Sequence, residues 1–217
     1  KKWSDASTSR LGRLANEEQQ VQNAKDIVEF QHYFADLIDR MRDHPEDNII
    51  SDLANNTIDE GRLLTKPEAL GMIQQILVAG NETSTNAIAG GVVLLIENPE
   101  EQAKLRANSD LIPTAVEEIL RLETPTSGMW RRATEATEID GVAIPEGSFL
   151  MVRFAAGNRD ETIFPCSGAM QVDRENADNH MAFGQGTHFC LGAQLARTEL
   201  QIAMTSLLRR TDNWALV

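Results

Sequence analysis

Phe183-Gly184-Gln185-Gly186-Thr187-His188-Phe189-Cys190-Leu191-Gly192-Ala193 is the stretch on which the fold turns. Three glycines within nine residues flank a single cysteine. Directly after it, Gly192 to Arg210 reads as a helix with Leu195, Leu200, Ile202, Leu207 and Leu208 facing a core. Glycine has no Cβ, so the loop can bend tightly and let a bulky flat ligand approach the backbone. A cysteine at a helix start has its thiolate stabilised by free amide groups and by the helix dipole. A thiolate held this way is a good axial ligand for iron. A lone cysteine in that position reads more simply as an inert buried thiol. The whole ten-residue pattern is what favours a ligand.

Upstream lies a long, turn-rich segment from Asn158 to Met181. Irregular loops of that length are uncommon unless functional. Before it come short β-prone runs: Thr126 to Ala133, Glu138-Ile139, Val142 to Ile144 and Phe149 to Phe154. Asp140-Gly141 and Pro145-Glu146-Gly147 separate them and predict hairpins. Pro99 to Asn108 and Ile112 to Leu122 read as short helices. Thr65-Lys66-Pro67-Glu68 is a capping box with Pro in the first turn, and it opens the longest helix, to about Glu97. At 1.5 Å per residue that helix spans about 48 Å. Its middle breaks the apolar pattern: Ala79-Gly80-Asn81-Glu82-Thr83-Ser84-Thr85-Asn86 is small and polar. Gly80 alone costs about 1 kcal/mol relative to Ala. A local rule broken inside a long buried element marks a place to look for function. Earlier still, Val21, Ala24, Val28, Phe34, Ile38 and Met41 predict an amphipathic helix that stops near His44-Pro45. A short acidic helix around Asn48 to Asn55 follows. The acidic stretch from Asp26 to Glu60 reads as a solvated helical face.

The chain has 217 residues, 41% hydrophobic and 24% charged, and a net charge of −13. That composition excludes collagen-like, disulfide-scaffold and wholly disordered classes. Its acidity repels phosphate backbones, so no nucleic-acid partner is expected. Cys166 and Cys190 cannot build a disulfide framework, which suits a reducing cytoplasm. No run of 18 apolar residues provides a membrane segment. Lys1-Lys2-Trp3-Ser4-Asp5 does not begin a signal peptide, and without an initiator Met the chain reads as a possible fragment.

The loop from Phe183 to Gly192 resembles the haem-ligand loop of the cytochrome P-450 family, Phe-Gly-x-Gly-x-His/Arg-x-Cys-x-Gly, and matches every fixed position. The resemblance implies that Cys190 is the proximal thiolate on haem iron and that His188 bonds a propionate. It implies too that Phe183 packs near the sulfur, with Gly184 and Gly192 completing the cofactor loop. Glu118-Ile119-Leu120-Arg121 alone is an i,i+3 pair worth about 0.2–0.5 kcal/mol. It is similar to the family's Glu-x-x-Arg motif, which implies a buried network with a third arginine. Arg174, sixteen residues before Cys190, fits that place. Ala79-Gly80-Asn81-Glu82-Thr83 is similar to the oxygen-binding motif Ala-Gly-x-Asp/Glu-Thr. Dioxygen needs room beside Ala79 and Gly80, and splitting it needs two protons. The Thr83 hydroxyl and the Glu82 carboxyl are suited to deliver them. Arg131-Arg132-Ala133-Thr134-Glu135 resembles the strand whose first arginine, here Arg131, grips a propionate. Asn158-Arg159-Asp160 opens the irregular segment as the family's does. Departures are Glu161 for the usual Pro, Cys166-Ser167 for Asp-Pro and Met170-Gln171 for Phe-Asp.

What the resemblance implies is a mainly α fold with a small β portion: the cytochrome P-450 fold in part, of the bacterial soluble type. Residues 1–217 would be the C-terminal part of a single domain whose N-terminal half is absent. The implied activity is haem-thiolate monooxygenation of a small apolar organic substrate by dioxygen. The cofactor would be haem b. Electrons would come from NAD(P)H through ferredoxin and ferredoxin reductase, or through a flavoprotein. Ile76, Ala79, Thr126, Ser127 and Met129 would face the substrate. The competing reading is a truncated, non-catalytic fragment that does not bind haem stably. A haem sensor or store is a third, against which the Glu82-Thr83 pair argues.

Overall fold

The computed structural model describes residues 1–9, 16–58 and 61–216. Asp59 and Glu60 of the acidic stretch, and Val217, lie outside the described residues. The chain divides into two compact units, Lys1–Glu82 and Thr83–Val217.

The first unit contains α1 (Lys2–Thr8), α2 (Glu17–Asp43), α3 (Ile49–Asn55) and the opening half of α4 (Lys66–Glu97). The Asn16 side chain accepts from the Gln19 amide while the Gln19 side chain accepts from the Asn16 amide, so α2 starts a turn earlier than its apolar pattern. Its buried face also differs from the predicted one. Val21, Ala24 and Val28 are exposed, whereas Asp26, Phe30, Ile38 and Met41 are buried. The cause is α1: Trp3 packs edge-on against Phe30 at 5.6 Å and Phe34 at 5.9 Å, and tilted against Tyr33 at 5.4 Å, which turns that side inward. Asp26 is accommodated there because Lys2 lies 3.4 Å away and Gln22 donates to it at 2.8 Å. Asn48 caps α3 through the amides of Ile50 and Ser51. The box at Thr65 opens α4, with the Thr65 amide donating to Glu68 at 2.8 Å. Phe30, Ile38, Met41, Ala54, Ala69 and Ile73 form the core of this unit.

The second unit takes the rest of α4 and adds α5 (Pro99–Ala107), α6 (Ile112–Glu123), four short strands, α7 (Phe154–Gly157) and α8 (Ala193–Arg210). The strands are β1 (Met129–Arg132), β2 (Thr137–Ile139), β3 (Val142–Ile144) and β4 (Phe149–Val152). Leu95, Leu105, Val116, Ile119, Leu200 and Met204 make its core. β2 and β3 pair across Asp140-Gly141, whose φ values of 51° and 77° suit a two-residue hairpin. The second predicted hairpin does not form. After Pro145-Glu146-Gly147 the chain returns to β1, so Arg132 pairs with Phe149 and the β2–β3 hairpin is inserted between the partners. The Gly147 amide to the Ala133 carbonyl, at 2.9 Å, closes that return. On α8, Leu200 and Leu208 are buried as predicted, joined by Ala193 and Met204, but Leu195 and Ile202 are exposed. Those two lie seven residues apart and share a face turned away from the buried ridge. Between α7 and α8 the chain is irregular apart from single 3-10 turns at Ala177–Asn179 and Gly186–His188. No helix among the described residues is long and apolar enough to cross a membrane. The fold is mainly helical with a small β portion, as the sequence implies.

Candidate haem-thiolate site

The cysteine loop is tied by the Cys190 amide donating to the Phe183 carbonyl at 2.9 Å. Gly184 and Gly186 have φ of 71° and 73°, a region L side chains rarely adopt, which is why glycine stands there. The Cys190 carbonyl accepts from the Ala193 amide at 3.3 Å, where α8 begins. Cys190 is half-buried, while its neighbours Phe189 and Leu191 are exposed, Leu191 to 98%. Gly192 has an ordinary φ of −86°, and a Cβ there would meet nothing within 4 Å. Neither conformation nor packing within the chain therefore asks for glycine at that position. His188 and Arg131 are both exposed, and Arg131 donates to the Trp130 carbonyl at 2.9 Å. The other thiol, Cys166, is exposed at a left-handed φ of 53°.

On α4, Ala79 and Gly80 are exposed, and a Cβ on Gly80 would meet nothing within 4 Å. Glu82 is partly buried and accepts from the Thr8 hydroxyl of α1 at 2.9 Å. Sequence reasoning missed this partner, 74 residues away. Thr83 is partly buried, and Ser84 beyond it donates to Glu199 at 2.7 Å. Of the predicted substrate-facing residues, Ile76, Ser127 and Met129 are exposed and Thr126 is half-buried.

Glu118, Arg121 and Arg174 are brought together and buried. Arg121 forks onto Glu118 at 2.7 and 2.8 Å, and Arg174 Nε donates to both carboxylate oxygens at 3.0 Å. One carboxylate cannot satisfy two guanidinium groups, so the rest is met by carbonyls of the irregular segment. Arg121 donates to Asn158 and Ser167, each at 2.7 Å. Arg174 donates to Pro165 at 2.9 Å and to Ala169 at 3.1 Å. Several carbonyls of the segment are met by these side chains, and its other backbone bonds close short local turns rather than a regular element.

A second cluster escaped the sequence reading. Glu117, next to Glu118 on α6, takes a two-pronged bond from Arg197 of α8, both at 2.8 Å. His180 Nε2 lies 3.2 Å from the same carboxylate, and its Nδ1 accepts from the Ala182 amide at 3.1 Å. The Arg197 guanidinium sits 4.7 Å from the Phe183 ring centroid. Burial pushes the Glu117 carboxyl upward, but the bonds from His180 and Arg197 and the Arg197 charge outweigh it and hold it at about 2. Bonding to Glu117 raises Arg197 against the effect of burial, helped by the charges of Glu117, Asp178 and Cys190. The signal available in sequence was a second acid beside Glu118 and an arginine two turns after the cysteine.

A tightly bent glycine loop presents one half-buried thiol at the head of a helix, beside a carboxylate–arginine pair. The family model for Cytochrome P-450 matches residues 14–212, and the chain belongs to that family. The cytochrome P-450 monooxygenase PikC of Streptomyces venezuelae is 38% identical over 99% of this chain and 50% of its own length. The biotin biosynthesis cytochrome P-450 of Bacillus subtilis is 41% identical over 84% of this chain and 46% of its own. Among solved structures, CYP109E1 from Bacillus megaterium in complex with testosterone superposes with a TM-score of 0.87 at 34% identity, covering 96% of this chain and 55% of that one. The chain spans about half the length of the curated relatives it matches. The family implies haem held by a thiolate, and the residues present fit it. The loop offers a single soft thiol donor, an exposed apolar rim at Phe189 and Leu191, and open space where a side chain would stand at Gly192.

Proposed function

We propose that this chain is the haem-thiolate part of a monooxygenase that inserts one atom of dioxygen into an apolar organic substrate. The observation that carries this reading is the complete loop from Phe183 to Gly192, bent by left-handed glycines around a half-buried Cys190. When bound, haem supplies the activation of dioxygen, and two electrons with two protons send the second oxygen atom away as water. Cys190 would hold the haem iron through its sulfur. His188 and Arg131 hold the propionates; both are cationic or hydrogen-bond donors with free reach into solvent. Gly80 and Ala79 leave room beside α4 for a small ligand. Thr83 donates a hydroxyl proton at that place, and Glu82, steadied by Thr8, passes protons from solvent. Glu118, Arg121 and Arg174 hold the irregular segment in place and take no part in the chemistry. NAD(P)H is the electron source, through ferredoxin and its reductase or a flavoprotein. The substrate class follows from small or apolar Ile76, Ala79, Thr126, Ser127 and Met129. It is in keeping with the testosterone bound to CYP109E1.

The test is the reduced carbon monoxide difference spectrum of these residues in a full-length, haem-loaded context. Cys190→Ser abolishes the red-shifted thiolate band, and Cys166→Ser leaves it unchanged. The reverse pattern would show that the ligand is assigned to the wrong cysteine.

A further inference from the structure

The cluster of Glu117, His180 and Arg197 is not used by the reading above, yet it touches the start of the cysteine loop twice. His180 takes the Ala182 amide, one residue before Phe183. Arg197 lies over the face of the Phe183 ring, and the Phe183 carbonyl takes the Cys190 amide. The Phe183 ring in turn meets Phe189 edge-on at 6.2 Å. Bidentate pairing to Glu117 fixes the plane of the guanidinium as well as its position. Because His180 Nδ1 accepts the Ala182 amide, its proton is assigned to Nε2, which donates to Glu117. Across the cluster the Glu117 carboxylate stands directly opposite the Arg197 guanidinium.

We propose that Glu117, His180 and Arg197 are positioning residues that clamp the Phe183–Cys190 loop and, through their balanced charge, set the reduction potential of the haem held there. The proposal rests on Cys190 being the axial ligand. Reduction adds one electron, hence one negative charge, to the haem. A nearby cation favours the reduced form and a nearby anion opposes it. In the intact cluster Glu117 offsets Arg197. Removing either charge unmasks the other, so the two removals act in opposite directions. A scaffold without electrostatic influence cannot produce that sign reversal.

The experiment is a spectroelectrochemical titration of the haem-loaded protein with dithionite and mediator dyes, alongside a carbon monoxide spectrum of each variant. Glu117→Gln leaves Arg197 uncompensated and shifts the midpoint upward. Arg197→Gln leaves Glu117 uncompensated and shifts it downward. At fixed poise each changes the reduced-to-oxidised ratio on the order of tenfold. Arg197→Lys keeps the charge and loses the fork, so its midpoint stays close to the parent while its thiolate band broadens or loses amplitude. Midpoints that move the same way in Glu117→Gln and Arg197→Gln, or do not move while the thiolate band persists, overturn the proposal. If Arg197→Gln takes up no haem, the upward shift of Glu117→Gln decides alone, and its absence counts against the proposal. A full-length parent protein with haem but without a thiolate band instead removes the Cys190 assignment.

Discussion

Glu117 and Glu118 are consecutive on α6 yet hold different arginines. Glu118 points into the irregular segment and is fully buried with Arg121, whereas Glu117 reaches α8 through Arg197. Burial decides how each behaves on substitution. Arg121→Ala leaves the buried Glu118 with Arg174 as its one guanidinium partner and the Asn158 and Ser167 carbonyls without their donor. Breaking a buried pair from one side costs about 3–5 kcal/mol, a large share of the roughly 5–15 kcal/mol that stabilises a domain. Denaturant melts of Arg121→Ala are expected to show that loss together with failed haem uptake. A folded, loaded but slow enzyme would point to a role in the chemistry instead. Glu117 makes its contribution visible through pH. Its folded value of about 2 lies below its ordinary 4.5, so its stabilisation is fully present above the ordinary value and is lost as pH falls toward 2. Acid titration of stability should therefore be shallower across that interval in Glu117→Gln than in the parent. Thr83→Ala tests the proton relay. General acid help is typically worth about 10²–10⁴-fold, so product formed per NAD(P)H falls and peroxide rises while haem and substrate still bind. Coupling equal to the parent's would take Thr83 out of the mechanism.

α4 carries glycines of two kinds, and they separate function from packing. A Cβ on Gly91 would lie 2.9 Å from Ile119 Cγ2, a branched side chain fixed in the core, so α4 and α6 approach closely only with glycine there. Gly91→Ala should destabilise by about 1–3 kcal/mol, as overpacking does. Gly80 has open space, so Gly80→Ala should stabilise the helix by about 1 kcal/mol while lowering haem or oxygen binding. Thermal melts paired with haem titrations check both. If Gly80→Ala binds haem as the parent does, the glycine has no cofactor role. These helices were readable because capping residues and 3.6-residue spacing are local signals, as at Thr65–Glu68 and Asn48. The faces were less readable. Val21 and Val28 on α2, and Leu195 and Ile202 on α8, look like core residues by composition, but which side is buried depends on what packs there. Trp3 of α1 settles it for α2, and no window within α2 contains Trp3. The same limit hid β4's return to β1 and the Thr8–Glu82 bond. Arg174 was legible only through family spacing, since its Glu118 partner lies 56 residues away and its other bonds run to backbone carbonyls, which leave no mark in side-chain identity.

At the scale of the whole chain, the second unit leaves much apolar surface uncovered. Leu191 is 98% exposed and Phe149 75%, and Trp130, Val142, Leu195 and Ile202 are exposed with them. Scattered exposed apolar residues are ordinary, but Phe189, Leu191 and Leu195 fall within seven residues around the proposed iron ligand. Contiguous apolar surface of that kind marks a place for a ligand or a partner surface, or else an aggregation hazard. Haem is a large apolar disc that needs cover on both faces and along its edge. Toward that cover this chain offers one cysteine loop, the α4 segment, and Arg131 and His188 as the proposed propionate partners, and it spans about half the length of its curated relatives. Its net charge of −13 opposes self-association. That repulsion is screened beyond about 8 Å at physiological salt, whereas apolar contact is not screened. Residues 1–217 expressed alone are therefore expected to take up haem weakly, without a stable thiolate band, and to aggregate more as salt is raised. Haem titration, a carbon monoxide spectrum and light scattering across a salt series measure this. A monomer with stoichiometric, thiolate-ligated haem at every salt concentration would show that the exposed surface needs no further cover.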